Sequence, residues 1–240
     1  MTNEESKSPF RGRGFIAAAA LMGVIALAAI ILVVTSFTRT DDAPEASPSS
    51  EVPSPTESID PATASICGLD GYDVDNSLSS APETEWELVG TTAAPSDPAI
   101  GPGSVDSDGF RTCFAHTTGG ALFAAVNFVA TGTDASIGPR LIELVAPGPG
   151  RDALEDAPSA SNGSSTQRAQ VAGYSVADFT ADTATIDLAL SYTGGDLVSF
   201  PLKLVWAEGD WKLQMTADGQ LPLAPSSITN LGGYTPWSGA

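Results

Sequence analysis

The sequence predicts an α+β domain carried behind a single membrane-spanning helix. Three observations predict it. Residues Phe15 to Phe37 read FIAAAALMGVIALAAIILVVTSF, with neither a charge nor a proline. Residues 121–130 are small and apolar nearly all round, the pattern of a buried helix. The C-terminal third alternates apolar and polar residues over long stretches joined by glycine-containing turns, the pattern of an antiparallel meander. Helices followed by a meander form an α+β domain, with the helices packed on a curved sheet.

The apolar run spans about 35 Å as a helix, enough to cross a bilayer core of about 30 Å with slight tilt. Lys7, Arg11 and Arg13 precede it, whereas Arg39 is followed by Asp41 and Asp42. The positive-inside rule therefore puts residues 1–14 in the cytoplasm and everything beyond Arg39 outside. A cleaved signal peptide is the alternative, but its apolar region is normally about 7–15 residues long. Residues 38–65 are rich in Pro, Ser, Ala and acids and have almost nothing to bury. They are expected to be a disordered stalk, reaching on the order of 30 Å.

The formal net charge is −19. Beyond Arg39 the only cations are Arg111, Arg140, Arg151, Arg168, Lys203 and Lys212, so the outer part is the acidic part. Such a surface repels nucleic acid and anionic lipid, and no direct nucleic-acid partner is expected. The two cysteines, Cys67 and Cys113, both fall outside. In an oxidising compartment they read most simply as one disulfide; two buried free thiols are the rival reading.

The extracytoplasmic domain is expected over residues 66–220, with a C-terminal tail over 221–240. Glu85 to Val89 alternates and reads as a short strand. Residues 95–109 are turn upon turn, a long loop or flap. Phe110 to Ala115 alternates again. The best soluble helix runs over residues 121–130, with Thr118 as N-cap and Gly132 as a left-handed stop. Two further helical pieces are expected at 140–145 and 151–156, and a loop at 159–165. Three strands follow over 168–179, 185–192 and 198–206. Gly173 is a candidate bulge, and a turn spans Thr193 to Asp196. Pro201 is tolerable only where no ladder bond is needed. After Glu208-Gly209-Asp210 turns the chain, Trp211, Leu213 and Met215 continue the apolar face. The tail carries Tyr234 and Trp237, which either pack back on the domain or present a docking peptide to a partner.

No phosphate loop, nucleophile elbow or HExxH pattern occurs, and no companion ligands surround the cysteines. No enzyme activity, cofactor or metal is expected. His116, the only histidine, reads as a structural residue between strand and helix, with a general base as the sharper reading. Asn127, inside an apolar helix, must find a buried partner or face a cavity. Asp178 and Asp187, with Tyr174 and Tyr192, are the acids and tyrosines to check for a proton-transfer pair, although Asp187 alternates onto the face opposite Ile186 and Leu188.

The order of elements, closed by Gly209-Asp210-Trp211-Lys212-Leu213, resembles the nuclear-transport-factor-2-like cone fold over residues 118–217. That resemblance implies a curved sheet wrapped around helices with a cavity at the open end. Anchor, stalk and outer domain are also similar in layout to assembly-factor subunits of type IV secretion systems. A second resemblance rests on Cys67-Gly68-Leu69-Asp70-Gly71-Tyr72, Trp86-Glu87-Leu88-Val89-Gly90, Gly101-Pro102-Gly103, Cys113-Phe114-Ala115-His116 and Gly120 to Asn127. These look like uncharacterised membrane proteins of actinobacterial integrative and conjugative elements, a family with no catalytic residues to carry over. The resemblances imply a scaffold or assembly subunit of a conjugative apparatus, with other subunits as partners and its oligomeric state open. The alternative is an extracytoplasmic small-ligand-binding domain that uses the cone cavity.

Overall fold

A computed structural model describes residues 63–157 and 168–239. The expected cytoplasmic tail, the membrane span, the stalk up to residue 62 and the loop at 159–165 lie outside these residues. Among the described residues no helix is long and apolar enough to cross a membrane.

The alternating C-terminal stretches form the main sheet. Strands β5 (Ala169–Phe179), β6 (Thr183–Tyr192), β7 (Leu197–Ala207) and β8 (Asp210–Leu213) run as an antiparallel meander. Ala184, Ile186, Leu188 and Leu190 of β6 line the inner face, in register with Leu204, Leu202, Phe200 and Val198 of β7. Strand β5 carries two register shifts, between Val171 and Gly173 and between Val176 and Asp178. Bulges of this kind bend a strand and raise its twist, so the sheet curves.

Helix α1 (Thr118–Thr133) fills the inner face. Leu122, Phe123 and Val126 are fully buried against the inner residues of the sheet and against Trp211 and Leu213. The N-cap is Thr117, one residue before the expected Thr118; its backbone is extended and its hydroxyl accepts from the Gly120 amide. Thr118 lies inside the helix, and its amide donates to Asp73. The start of the helix presses on the preceding segment: a Cβ at Gly120 would fall 1.9 Å from the Ala115 carbonyl oxygen. Nor does the helix stop at Gly132. It runs to Thr133, with Asp134 as C-cap, and Thr133 ties the last turn to the hairpin before it: its hydroxyl accepts from the Thr91 amide and lies within bonding distance of the Val89 and Ala130 carbonyls.

That hairpin joins β1 (Glu85–Val89) to β2 (Thr92–Ser96) through Gly90, which has φ 59. Strand β2 was not expected, since Ala93, Ala94 and Pro95 have low strand propensity. Docking overrides it: the Gln170 side chain bridges Thr91 and Ala93, and the Thr92 hydroxyl donates to the Ala169 carbonyl. The turn-rich stretch that follows contains β3 (Ser104–Val105), paired with β4 (Arg111–Thr112). The second helical piece is a 3-10 helix, Gly138–Leu144, with proline in its first turn, and α2 spans Pro149–Glu155.

Pro201 lies in a central strand at a place that tolerates it. The Lys203 carbonyl accepts from Gln214 on the side away from β6, and alternation turns the backbone of residue 201 the same way. There the edge of β7 is divided: β9 (Ser226–Ile228) covers residues 197–199, and β8 begins at Leu204. The missing N–H falls in the gap between them.

The tail packs back on the domain. Strand β9 pairs with β7, and β10 (Thr235–Pro236) pairs with β5 at the opposite edge. Residues 229–234 connect these edges, about 19 Å apart at four strand spacings. Tyr234 lies on the outer face, where its hydroxyl donates to Asp187 at 2.7 Å. Trp237 then turns inward and is buried against Trp86, Phe123 and Tyr174.

Candidate functional site

The chemistry-bearing side chains converge on one short segment, Cys113 to His116, between β4 and α1. Cys113 has φ 66, a left-handed backbone that is costly for a residue with a side chain. Three contacts hold it there. Its sulfur forms the disulfide with Cys67, with Cα atoms 6.1 Å apart. Its amide and that of Phe114 donate to the two carboxylate oxygens of Asp210, each at 2.9 Å.

Asp210 opens β8 and is 2% exposed. Its carboxylate also accepts from the Trp211 amide. Burial pushes its carboxyl above the ordinary value of 3.8; Lys212 and the three amides pull against that rise. The neighbours of Asp210 tie down further segments. The Gly209 carbonyl accepts from the Ile66 amide, the Trp211 indole donates to the Ala115 carbonyl, and the Lys212 ammonium donates to the Glu143 carbonyl.

His116 is 1% exposed. Its ring lies flat on Trp206, with centroids 3.7 Å apart and planes 6° from parallel, and meets Tyr72 and Trp211 edge-on. Nδ1 faces the Thr63 carbonyl at 2.8 Å and Nε2 the Ala181 carbonyl at 2.6 Å. Both nitrogens are engaged by backbone, and neither is presented as a base to a substrate.

The disulfide, His116 and the Gly209-Asp210 turn together form a hub that grips the chain where it enters the domain. Thr63 is held by His116, Ser65 is buried with its hydroxyl 2.9 Å from the Cys113 sulfur, Ile66 is held by Gly209, and Cys67 by the disulfide. Residues 63–65, assigned above to the stalk, therefore belong to the folded domain.

The other singled-out residues lie elsewhere. Asn127 is buried, and its amide group donates to the Pro95 and Phe123 carbonyls. Its Oδ1 has no hydrogen-bonding partner, and neither does Nη1 of buried Arg111, whose other terminal nitrogen is paired with Glu87. Both residues line a void of about 10 Å³ between helix and sheet, the size of a single water. Tyr174 is also buried, and its hydroxyl donates to the Ser80 carbonyl. Asp187, on the outer face, accepts from Ser199 and Tyr234, while Asp178 is exposed. Among the described residues, neither Asp178 nor Asp187 pairs with Tyr174 on the inner face. Among the described residues no group of three His, Cys, Asp or Glu is placed to hold a metal ion. An open hollow of about 510 Å³ lies at the rim of the sheet near Arg168, Gln170, Tyr192 and Ser238, away from the hub.

Reading along the chain found Cys67, Cys113 and His116 but missed Asp210, which it placed in a turn, and Thr63, Ser65, Tyr72 and Trp206. The one signal within reach was Gly209-Asp210-Trp211-Lys212 itself, in which four successive residues bond three separate parts of the chain, at Ile66, Cys113 to Ala115 and Glu143.

Fold and hub together define an α+β domain whose polar centre binds its own backbone. Residues 46–236 match the model of a family described as a domain of unknown function, DUF8175, and the chain belongs to that family. No curated protein and no solved structure matches it.

Proposed function

We propose that the chain is a non-catalytic, single-pass membrane component whose outer domain serves as a scaffold or assembly subunit of a conjugative DNA-transfer apparatus, with other subunits of that apparatus as partners. The cone likeness is supported by a helix packed on a twice-bulged antiparallel sheet. The observation that carries the reading is the hub. His116, Gly209 and the disulfide hold the segment through which the domain joins whatever precedes it, and Asp210 holds the Cys113–Phe114 segment that carries the disulfide and leads to His116. A joint fixed at four points suits a domain that must keep a set direction on a tether. For the ligand-binding alternative, the void beside Asn127 is about 10 Å³, below the about 300–1,000 Å³ of ligand sites; among the described residues, the open hollow of about 510 Å³ at the rim of the sheet is the place of that size.

The test is deletion of the gene from a conjugative element that carries it, with transfer frequency as the readout. Transfer should fall, and the full-length chain should restore it where a chain lacking residues 15–37 does not. Transfer at the parental frequency after deletion would rule out the apparatus reading.

A further inference from the structure

Among the described residues, five large apolar side chains are strongly exposed: Ile66, Tyr72, Val74, Leu88 and Val105. Three of them fall in the stretch 66–74, with exposures of 72% for Ile66, 46% for Tyr72 and 59% for Val74. Ile66 and Tyr72 border the same corner of the fold. Ile66 lies against Gly209 in the β7–β8 turn, and the Tyr72 ring meets His116, whose face lies on half-buried Trp206 at the end of β7.

This stretch has no regular structure beyond a single bridge between Tyr72 and His116, yet it is held firmly. The disulfide and Gly209 fix its start. Asp73, near its end, accepts from Ser77 and from the first amide of α1. Folding alone gives no reason to hold apolar side chains rigidly in water. An exposed apolar patch marks an interaction surface, and one already ordered loses less entropy on binding.

The charge around the patch selects the partner. Asp70, Asp75 and Asp182 are exposed beside it. Arg151, which pairs with Glu208 in the β7–β8 turn, is engaged by that carboxylate and by the Val145 carbonyl. Arg111, Arg140 and Lys212 are likewise engaged elsewhere. A negative rim repels an anionic bilayer, and it repels a second copy of a chain with net charge −19. We propose that residues 66–74 with Trp206 form a docking surface for a different protein, one that presents an apolar pocket bordered by lysine or arginine. The inference holds whichever assembly the chain serves.

The experiment places a photo-crosslinking phenylalanine analogue at Tyr72 or Val74 in the full-length chain, in cells that naturally carry it. Leu88 and Val105 serve as equally exposed controls. The expected result is a protein adduct at Tyr72 and Val74 but not at the controls, mapped by mass spectrometry to a peptide with apolar residues next to Lys or Arg. Ile66→Asp, at an exposed side chain, should abolish the Tyr72 adduct without moving the Tm. Absence of an adduct above the controls, an adduct only to lipid or to another copy of the chain, or an adduct unaffected by Ile66→Asp would overturn the proposal. A mapped partner outside the transfer apparatus would uphold the surface and count against the apparatus reading alone.

Discussion

Asp210 shows how one buried carboxylate orders a region remote in sequence. It accepts the amides of Cys113 and Phe114, 97 and 96 residues away. Asp210→Asn replaces one acceptor oxygen with an NH₂ group and leaves a buried amide without its partner. The expected loss is about 1–3 kcal/mol, read as a lower Tm. The pH dependence has a definite sign. Burial raises the carboxyl above 3.8, so the folded state binds this proton more tightly than the unfolded chain does. The contribution of Asp210 to stability is then fully present below that value and declines as pH rises through its folded pKa. Asp210→Asn should remove this part of the stability-versus-pH slope. Cys67→Ser should cost about 4 kcal/mol in the chain-entropy account, again measured as Tm; an unchanged Tm under reducing conditions would contradict a stabilising disulfide. The cysteine pair was legible in the sequence because two cysteines allow a single pairing. The partners of His116 were not, since Thr63 and Ala181 lie 53 and 65 residues away and engage it through carbonyls that every residue carries.

At the scale of elements, periodicity carried the sheet and the helix. The alternating residues of β6 and β7 face inward as expected, and α1 is buried as its composition requires. What escaped was structure that tertiary docking imposes. Strand β2 exists because Gln170 and Ala169 bind it, and α1 runs on to Thr133 because the β1–β2 hairpin bonds its last turn. The tail was legible in its aromatics but not in its path. Its strands add to both edges of the sheet, and Trp237 closes the inner core at β5. A buried residue of this kind serves packing, so Trp237→Ala should destabilise the domain by about 3–5 kcal/mol in a denaturant titration. Tyr234→Phe, which removes only the bond to Asp187, should cost about 1 kcal/mol. Equal losses for the two would contradict the division of the tail into a core anchor and an outer-face contact.

At the scale of the whole molecule, the α+β domain is fastened to the segment through which the chain enters it. The Asp210 carboxylate holds the amides of Cys113 and Phe114, in the same short segment from which the disulfide and the His116 ring reach Cys67 and Thr63, so their effects should be coupled rather than additive. Hydrogen exchange on the full-length protein, comparing wild type with Asp210→Asn by mass spectrometry, tests this most directly. The account predicts that amides in 63–75 and 113–116 lose protection in the variant while those of β5 to β7 keep it. Unchanged protection of residues 63–75 would contradict the claim that the hub clasps the entry segment.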